Sequence, residues 1–201
     1  PTATSATRTI TWKATDADAG SLGAQSGTVT STINLTAVND APVVGGDLGA
    51  LAYTENGVAT VIAGTITLSD ADDTQMSSAT TTISSGFTAG DVLGFTDQNG
   101  ISGSYDSSTG VLSFSGTATV AQYQAALRSV TYHSTSEDPT ATSATRTITW
   151  DVTDANSDGR GAQTSTAVTG NIDVTALSDT PVVGGDRSIT VEESASVVIT
   201  S

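Results

Sequence analysis

The sequence predicts an all-β protein made of tandem antiparallel β-sandwich repeats, with one short helix per repeat. Three observations support this fold class. A block of twelve residues, PTATSATRTITW, occurs at residues 1–12 and again at residues 139–150. Short runs that alternate apolar and polar residues recur between polar turns, as in half-buried strands. Only one segment has the period of an amphipathic helix, which disfavours a regular alternation of strands and helices.

A second repeated block gives the length of the repeat. The residues PVVGGD occur at 42–47 and at 181–186, an offset of 139, whereas the longer block recurs at an offset of 138. The copies therefore stay in register apart from one inserted residue, which is typical of a tandem array. We expect residues 1–41 to be the C-terminal part of a preceding repeat, 42–180 to be one complete β-sandwich repeat, and 181–201 to be the N-terminal part of the next.

The strand inside the longer block has a clear apolar face. In the second copy, Ile148, Trp150 and Val152 alternate with polar residues and are expected to be buried. The first copy places Ile10 and Trp12 on the same face. We therefore expect this strand to be half-buried in both copies.

The remaining elements follow from similar patterns. Further strands are expected at residues 29–37, 58–68, 101–105, 111–114 and 172–176. The turn residues 106–110, which end in glycine, indicate a hairpin between two of them. Together with turns between strands, these segments predict roughly seven to nine strands per repeat in an antiparallel sandwich.

The one predicted helix begins at a capping box. Thr119 is followed three residues later by Gln122, and Val120, Tyr123 and Leu127 then form an apolar stripe of about two turns. We expect this helix to close one edge or end of the core.

Proline marks the expected boundaries of the repeat. The segments VNDAP at 38–42 and LSDTP at 177–181 each follow a closing strand, and proline there stops sheet pairing. Boundaries are therefore expected near residues 41 and 180. Linkers this short predict a semi-rigid rod of consecutive domains.

Composition excludes several functions. The net charge is −15 and the isoelectric point is about 4.1, with only six Lys and Arg residues, which argues against nucleic acid and anionic membranes as partners. Absence of cysteine excludes disulfides and thiolate metal sites. No apolar run approaches the roughly 18 residues of a membrane span, so no membrane insertion is expected within this fragment. Bound divalent cations would reduce the self-repulsion of so acidic a chain.

Four short segments carry a resemblance to a known family. They read VNDAPVV at 38–44, TEN at 54–56, SDADD at 69–73 and VTDANSDG at 152–159. With them the chain resembles the cadherin-like and immunoglobulin-like tandem repeats of giant bacterial surface and secreted adhesins, which are calcium-dependent and of the RTX type. The resemblance implies an extracellular spacer, stiffened by Ca²⁺ bound where one domain meets the next.

Strand direction tests which acidic residues meet at such a junction. If the strands alternate in direction, Asp70, Asp72 and Asp154 lie at the same end as the incoming linker residues Asn39 and Asp40. Because Ca²⁺ takes six to eight oxygen ligands, these five side chains would form a partial shell. They are our first candidate metal site.

The opposite end of the repeat predicts a second candidate site. It would combine Glu55, Glu137 and Asp138 with Asp179 of the outgoing linker. That linker reads Ser-Asp-Thr-Pro, whereas the incoming linker reads Asn-Asp-Ala-Pro. The number of ions at each junction therefore stays open.

The acidic residues also fit two different roles. Residues 154–159 match the start of an EF-hand loop, but no glutamate closes the loop and no helices flank it. The first copy keeps only Asp16 and Asp18 of that pattern. Asp and Asn also favour turns for backbone reasons, so a set of solvated turns without metal is the alternative.

Catalysis is not expected from this sequence. The only histidine, His133, falls on the outward side of its strand, and no second histidine, cysteine, nucleophile elbow or phosphate loop accompanies it. Paired carboxylates could hydrolyse glycosides, but these acids lie in turns and few aromatic residues exist to line a cleft.

The sequence thus predicts a structural spacer of a large bacterial cell-surface or secreted adhesin. Its expected partners are adjacent repeats of the same chain, with a host or biofilm ligand bound through other domains. Two alternatives remain open, namely a protomer that assembles laterally into a surface sheath, layer or filament, and a module that itself binds a glycan or protein.

Overall fold

The computed structural model describes residues 6–157 and 159–179. The expected start of a further repeat at 181–201 and the residue Asp158 lie outside this part. The strands are β1 (Thr7–Thr15), β2 (Ser26–Asn34), β3 (Val43–Gly45), β4 (Leu51–Thr54), β5 (Thr60–Val61), β6 (Thr67–Ser69), β7 (Gln75–Ser85), β8 (Asp91–Gly94), β9 (Ser102–Asp106), β10 (Val111–Thr119), β11 (Thr131–Ser134), β12 (Thr145–Asp154) and β13 (Val168–Thr175). The helix α1 (Val120–Arg128) lies between β10 and β11.

The strands from β3 onward form an all-β sandwich, which confirms the predicted fold class. One layer is a six-stranded sheet in the order β4-β13-β12-β7-β10-β9, antiparallel except for the pair β4 and β13. The smaller sheets β5-β11-β8 and β3-β6 contribute side chains to the same core. The rings of Tyr53 and Tyr132, from β4 and β11, meet edge to face with centroids 5.0 Å apart.

The predicted face of β12 is confirmed. Ile148, Trp150 and Val152 are buried, because β12 lies between β7 and β13 in the middle of the large sheet. The predicted hairpin is also present, with β9 and β10 paired antiparallel around the turn that ends in Gly110. Gly110 has φ of 73° there, in the left-handed region that glycine adopts without strain.

The predicted helix is confirmed with its capping box. The side chain of Thr119 accepts a hydrogen bond from the backbone N–H of Gln122, and the Gln122 side chain accepts one from the N–H of Thr119. Tyr123 and Leu127 are buried together with Ala126. The helix packs beside β6, so it closes an edge of the core as expected.

The strand predicted at residues 58–68 is wrong as a single element. The chain instead forms β5 and β6, which belong to different sheets because a turn separates them. In that turn the N–H of Ile66 donates to the carbonyl of Ala63, and the chain crosses from one layer to the other. The apolar residues of the segment therefore fill the core from two sheets.

The prediction that Ile10 and Trp12 are buried is also wrong for the described residues. The hairpin of β1 and β2 is a separate two-stranded sheet, in which Ile10 and Trp12 are 38% and 61% exposed. No other described strand pairs with it. Among the residues that the structure describes, no second layer covers this apolar face as one covers β12 and β13.

A buried arginine organises the fold of the second repeated block. The Arg146 Nε atom lies 2.6 Å from Asp91 Oδ2, and both side chains are fully buried. The Arg146 guanidinium also donates to the carbonyl oxygens of Pro139 and Ser143. Tyr132 donates its hydroxyl to Asp91 Oδ1 at 2.7 Å, and burial, reinforced by the Asp91 charge, raises the pKa of this phenol. Residues 139–146 therefore fold around the Arg146 guanidinium, whose charge is paired with Asp91.

Candidate metal centres

A tight loop after β6 brings three carboxylates together. Asp70 Oδ1 accepts hydrogen bonds from the backbone N–H groups of Asp72 and Asp73, at 3.0 and 2.7 Å. This turn holds an oxygen atom from each of Asp70, Asp72 and Asp73 within 4.8 Å of one another. Asp73 is only 3% exposed.

The incoming linker docks against this loop and against the end of β12. The N–H of Asp40 lies 3.3 Å from both carboxylate oxygens of Asp72. The side-chain amide of Asn39 donates to Asp154 Oδ2 at 2.9 Å and to the carbonyl of Gly161 at 2.6 Å. The linker therefore connects the two acidic loops.

The loop after β12 completes the cluster. Asp154 is fully buried and accepts hydrogen bonds from the N–H groups of Asn156 and Gln163, at 2.9 and 2.8 Å. Ser157 donates its N–H to Asp73 Oδ1 at 2.7 Å and its hydroxyl to the same oxygen. We call the set Asn39, Asp40, Asp70, Asp72, Asp73 and Asp154 the upper cluster.

The upper cluster contains the first predicted site and one residue that sequence reasoning missed. All five predicted residues lie at this end of the sandwich, although Asp40 is placed there by its backbone N–H and not by its side chain. The missed residue, Asp73, closes the SDADD segment that carries the resemblance. It accepts hydrogen bonds from Ser157, which is 84 positions away in sequence.

The upper cluster has buried oxygen atoms with no partner. Within the described residues, Asn39 Oδ1, Asp70 Oδ2 and Asp73 Oδ2 are buried and accept no hydrogen bond. Burial raises the pKa of Asp70, and the nearby Asp72 carboxylate adds to that rise, although backbone hydrogen bonds from Asp73 and Asp72 oppose it. Unsatisfied buried acceptors are costly, and a cation would supply the missing interaction.

A second cluster lies at the other end of the sandwich. Glu55, Glu137 and Asp179 each place a carboxylate oxygen within 4.8 Å of the others. Glu55 is 2% exposed, and its Oε2 accepts a hydrogen bond of 2.6 Å from the N–H of Leu177 in the outgoing linker. The other oxygen, Glu55 Oε1, is buried without a partner among the described residues. We call these three residues the lower cluster.

Asp138, the fourth residue predicted at this end, does not join the lower cluster. Its carboxylate instead accepts a hydrogen bond from the hydroxyl of Thr140, at 3.4 Å, within the turn that leads toward β12. Asp138 is exposed. A local turn interaction therefore accounts for this carboxylate.

Sheet register shows that the two clusters lie far apart. Asp154 pairs with Met76, next to the loop of the upper cluster, whereas Thr145 at the start of β12 pairs with Asp173. Glu55 lies at this second end, because its backbone N–H donates to the carbonyl of Thr175, the last residue of β13. The ten residues of β12 therefore separate the clusters by about 30 Å.

The loop at 154–161 uses its side chains mainly to form a turn. Asp154 Oδ1 accepts from the N–H of Asn156, and Asn156 Oδ1 accepts from the N–H of Gly161 at 2.6 Å. The first copy has the same pattern, because Asp16 and Asp18 accept backbone hydrogen bonds from Gln25 and Gly23. These bonds favour a turn over an independent EF-hand loop for this segment.

The histidine is less exposed than the sequence suggests. His133 is partly buried on β11, and its Nδ1 atom has no hydrogen-bond partner within the described residues. Neither acidic cluster includes it. That the protein has no enzymatic activity stays a prediction.

Both clusters offer only oxygen atoms as potential ligands. Carboxylate and amide oxygens are ligands for hard cations such as Ca²⁺ and Mg²⁺, while the sulfur and imidazole ligands of softer metals do not take part. The buried, unpartnered oxygens fit such a cation.

Within the described residues, no helix has the length and apolar character to cross a membrane.

Comparison with known proteins gives matches to solved structures alone. No protein-family model matches the chain, and no curated protein matches it. Among solved structures, the chain is similar to protocadherin gammaB7 in its EC3-6 cis-dimer structure, with 16% identity and a TM-score of 0.39 over 84% of this chain and 33% of that chain. It is also similar to protocadherin gamma B2 extracellular cadherin domains 1-5, with 17% identity and a TM-score of 0.38 over 86% of this chain and 27% of that chain. A third similar structure is the protocadherin gammaB4 extracellular domain, with 16% identity and a TM-score of 0.33 over 85% of this chain and 22% of that chain. The chain spans about a third or less of each of these structures.

Proposed function

We propose that the chain is part of the extracellular spacer of a large bacterial surface or secreted adhesin, in which Ca²⁺ stiffens the junctions between tandem sandwich domains. The observation that supports this most directly is the pair of acidic clusters, one at each end of the sandwich and each next to a linker. Each cluster contains a buried carboxylate oxygen without a partner. The proposal includes no enzymatic activity.

In a tandem array the two clusters would complement each other. The lower cluster of one domain would meet the upper cluster of the next, with the connecting linker between them. Each cluster would bind Ca²⁺ with water completing the six to eight oxygen ligands, and the neighbouring domain would replace some of those waters. Extracellular modules of this kind bind Ca²⁺ with dissociation constants of about 10⁻⁴ to 10⁻³ M.

The residues of the two clusters would determine the stiffness of the spacer and therefore the distance that it spans. A bound cation would hold Asn39, Asp40 and the loop after β6 in one arrangement, so the linker could not swing. A run of such domains would project a binding domain away from the cell, where that other domain would contact a host or biofilm ligand. Adjacent repeats of the same chain would be the direct partners of this segment.

Thermal unfolding tests the proposal. If the dissociation constant is about 10⁻⁴ M, 10 mM CaCl₂ stabilises one site by about 2.7 kcal/mol relative to a chelator. For a chain of this size, we expect the melting temperature to rise by about 5 to 10 °C. The same concentration of MgCl₂ should give a much smaller rise, because Mg²⁺ binds rarely in cages made only of protein ligands.

Matched variants separate specific binding from charge screening. Asp73→Asn should remove most of the calcium effect of the upper cluster, and Glu55→Gln should do the same for the lower cluster. Asp151→Asn makes the same charge change on the outward face of β12, where Asp151 accepts from Thr80, and should leave the calcium effect intact. Equal melting temperatures in calcium and chelator for the unaltered chain would exclude the proposal.

A further inference from the structure

The hairpin of β1 and β2 carries an exposed apolar face. Ile10, Trp12 and Ile33 are 38%, 61% and 45% exposed. Their counterparts in the second copy, on β12 and β13, are at most 1% exposed. Those counterparts are Ile148, Trp150 and Ile172. The same side chains are thus buried in one copy and open in the other.

The two hairpins have the same geometry. Trp12 pairs with Val29, and Trp150 pairs with Val168, which is the same register after the single inserted residue. The turns also match, since Asp16 and Asp154 each accept a hydrogen bond from the glutamine nine positions later. The exposed hairpin is therefore already in the form that it would have inside a complete sandwich.

Residues 42–138 cover the second hairpin. From this segment β7 pairs along the edge of β12, and Leu48 packs against Gly170 of β13. Asp91 and Tyr132 of the same segment form the buried cluster with Arg146. The first block repeats all twelve residues of the second and has Arg8 at the position of Arg146.

We propose that the apolar face of the β1–β2 hairpin is a docking surface for a second segment of the 42–138 type. The docked segment adds a β7-like strand to the open edge of β1 and covers Trp12 with a second layer. Strand addition at a sheet edge supplies backbone hydrogen bonds, and the apolar pockets supply selectivity. This docking does not depend on the proposed calcium sites.

One residue makes the fit selective. Copy one has Ser31 where copy two has Gly170, and a Cβ atom at Gly170 would lie 2.4 Å from the carbonyl oxygen of Leu48. The Ser31 hydroxyl instead accepts a hydrogen bond from the Trp12 indole at 3.2 Å. A segment with the sequence of 42–138 must shift at its Leu48 position, so Ser31→Gly is expected to tighten docking.

The test supplies the segment within one polypeptide. Residues 42–138 are fused directly ahead of Pro1 of the full chain, which recreates the Asp138-Pro139 junction of the second copy. Acrylamide quenching reports Trp12, because Trp150 is 1% exposed. We expect quenching of one of the two tryptophans to be lost on docking, with a blue shift of the emission.

Variants and conditions make each outcome decisive. Ile10→Asp on the apolar face should abolish the loss of quenching, whereas Thr11→Ser on the opposite face should not. Docking should persist in chelator, so its failure is distinguishable from failure of the calcium proposal. The docking proposal is overturned if Trp12 stays quenchable in the fusion. It is equally overturned if the chain alone sediments as a dimer and Trp12 is already protected from acrylamide in that dimer.

Discussion

At the scale of single residues, Arg146 forms a buried polar cluster inside the second repeated block. Its guanidinium contacts Asp91 and two backbone carbonyls, and Asp91 also accepts from Tyr132 and from the N–H of Thr88. A buried charge is tolerated only when its partners are complete. A change that displaces the carbonyl of Pro139 or Ser143 would remove a hydrogen bond from this buried charge.

The buried pair makes a strong prediction about stability. Arg146→Met leaves the Asp91 carboxylate buried without its counter-charge, so we expect a loss of about 3 to 5 kcal/mol in the free energy of unfolding, measured in urea. Arg128→Met removes an arginine that is partly exposed and should cost much less. The double variant Arg146→Met with Asp91→Leu should lose less than the sum of the two single variants. Additive losses would mean that the pair is not coupled.

The acidic residues show how far sequence reasoning reaches at this scale. Strand direction alone places Asn39, Asp70 and Asp154 at one end, because antiparallel strands return their loops to shared ends. It does not single out Asp73, because the contact of that residue with Ser157 joins two loops that are distant in sequence. Proximity in sequence wrongly assigns Asp138 to the lower cluster, because its carboxylate accepts a hydrogen bond from Thr140 within a local turn.

At the scale of elements, β7 marks the limit of pattern reading. It is the longest of the described strands and lies inside the large sheet, but the sequence pattern predicts no strand there. Its buried residues are Met76, Ala79, Thr81 and Ile83, a mostly small set whose alternation is interrupted by register shifts against both neighbours. A bulge changes which parity faces the core, so the period of two is lost. By contrast, the regular alternation of β12 is sufficient to predict that strand.

The helix offers a prediction at the same scale. Thr119→Ala removes the side-chain acceptor of the capping box, and we expect a loss of about 1 kcal/mol in the free energy of unfolding. Thr119→Ser keeps the hydroxyl and should retain most of the stability. Urea titrations of the three proteins measure the difference. A loss of the same size in both variants would show that the methyl group, and not the cap, stabilises this end of α1.

At the scale of the whole molecule, the linker connects the hairpin to the sandwich through few side chains. Asn39 makes two hydrogen bonds, one of them to the buried carboxylate of Asp154. Asp40 contacts Asp72 through its backbone N–H. All of these linker contacts come from loops at one end of the sandwich. A cation bound there would therefore restrain the linker and both loops together.

Asn39→Ala should therefore loosen the junction while leaving the sandwich folded. A hydrogen bond to a charged group contributes about 1.5 to 3 kcal/mol, so we expect amide exchange in residues 37–41 to speed up by about 10-fold or more. The core strand β12 should keep its protection. Asn171→Ala, on an exposed position of β13, is the matched control and should leave exchange in the linker unchanged. Unchanged exchange in Asn39→Ala would mean that the backbone contact of Asp40 with Asp72 is enough to fix the linker.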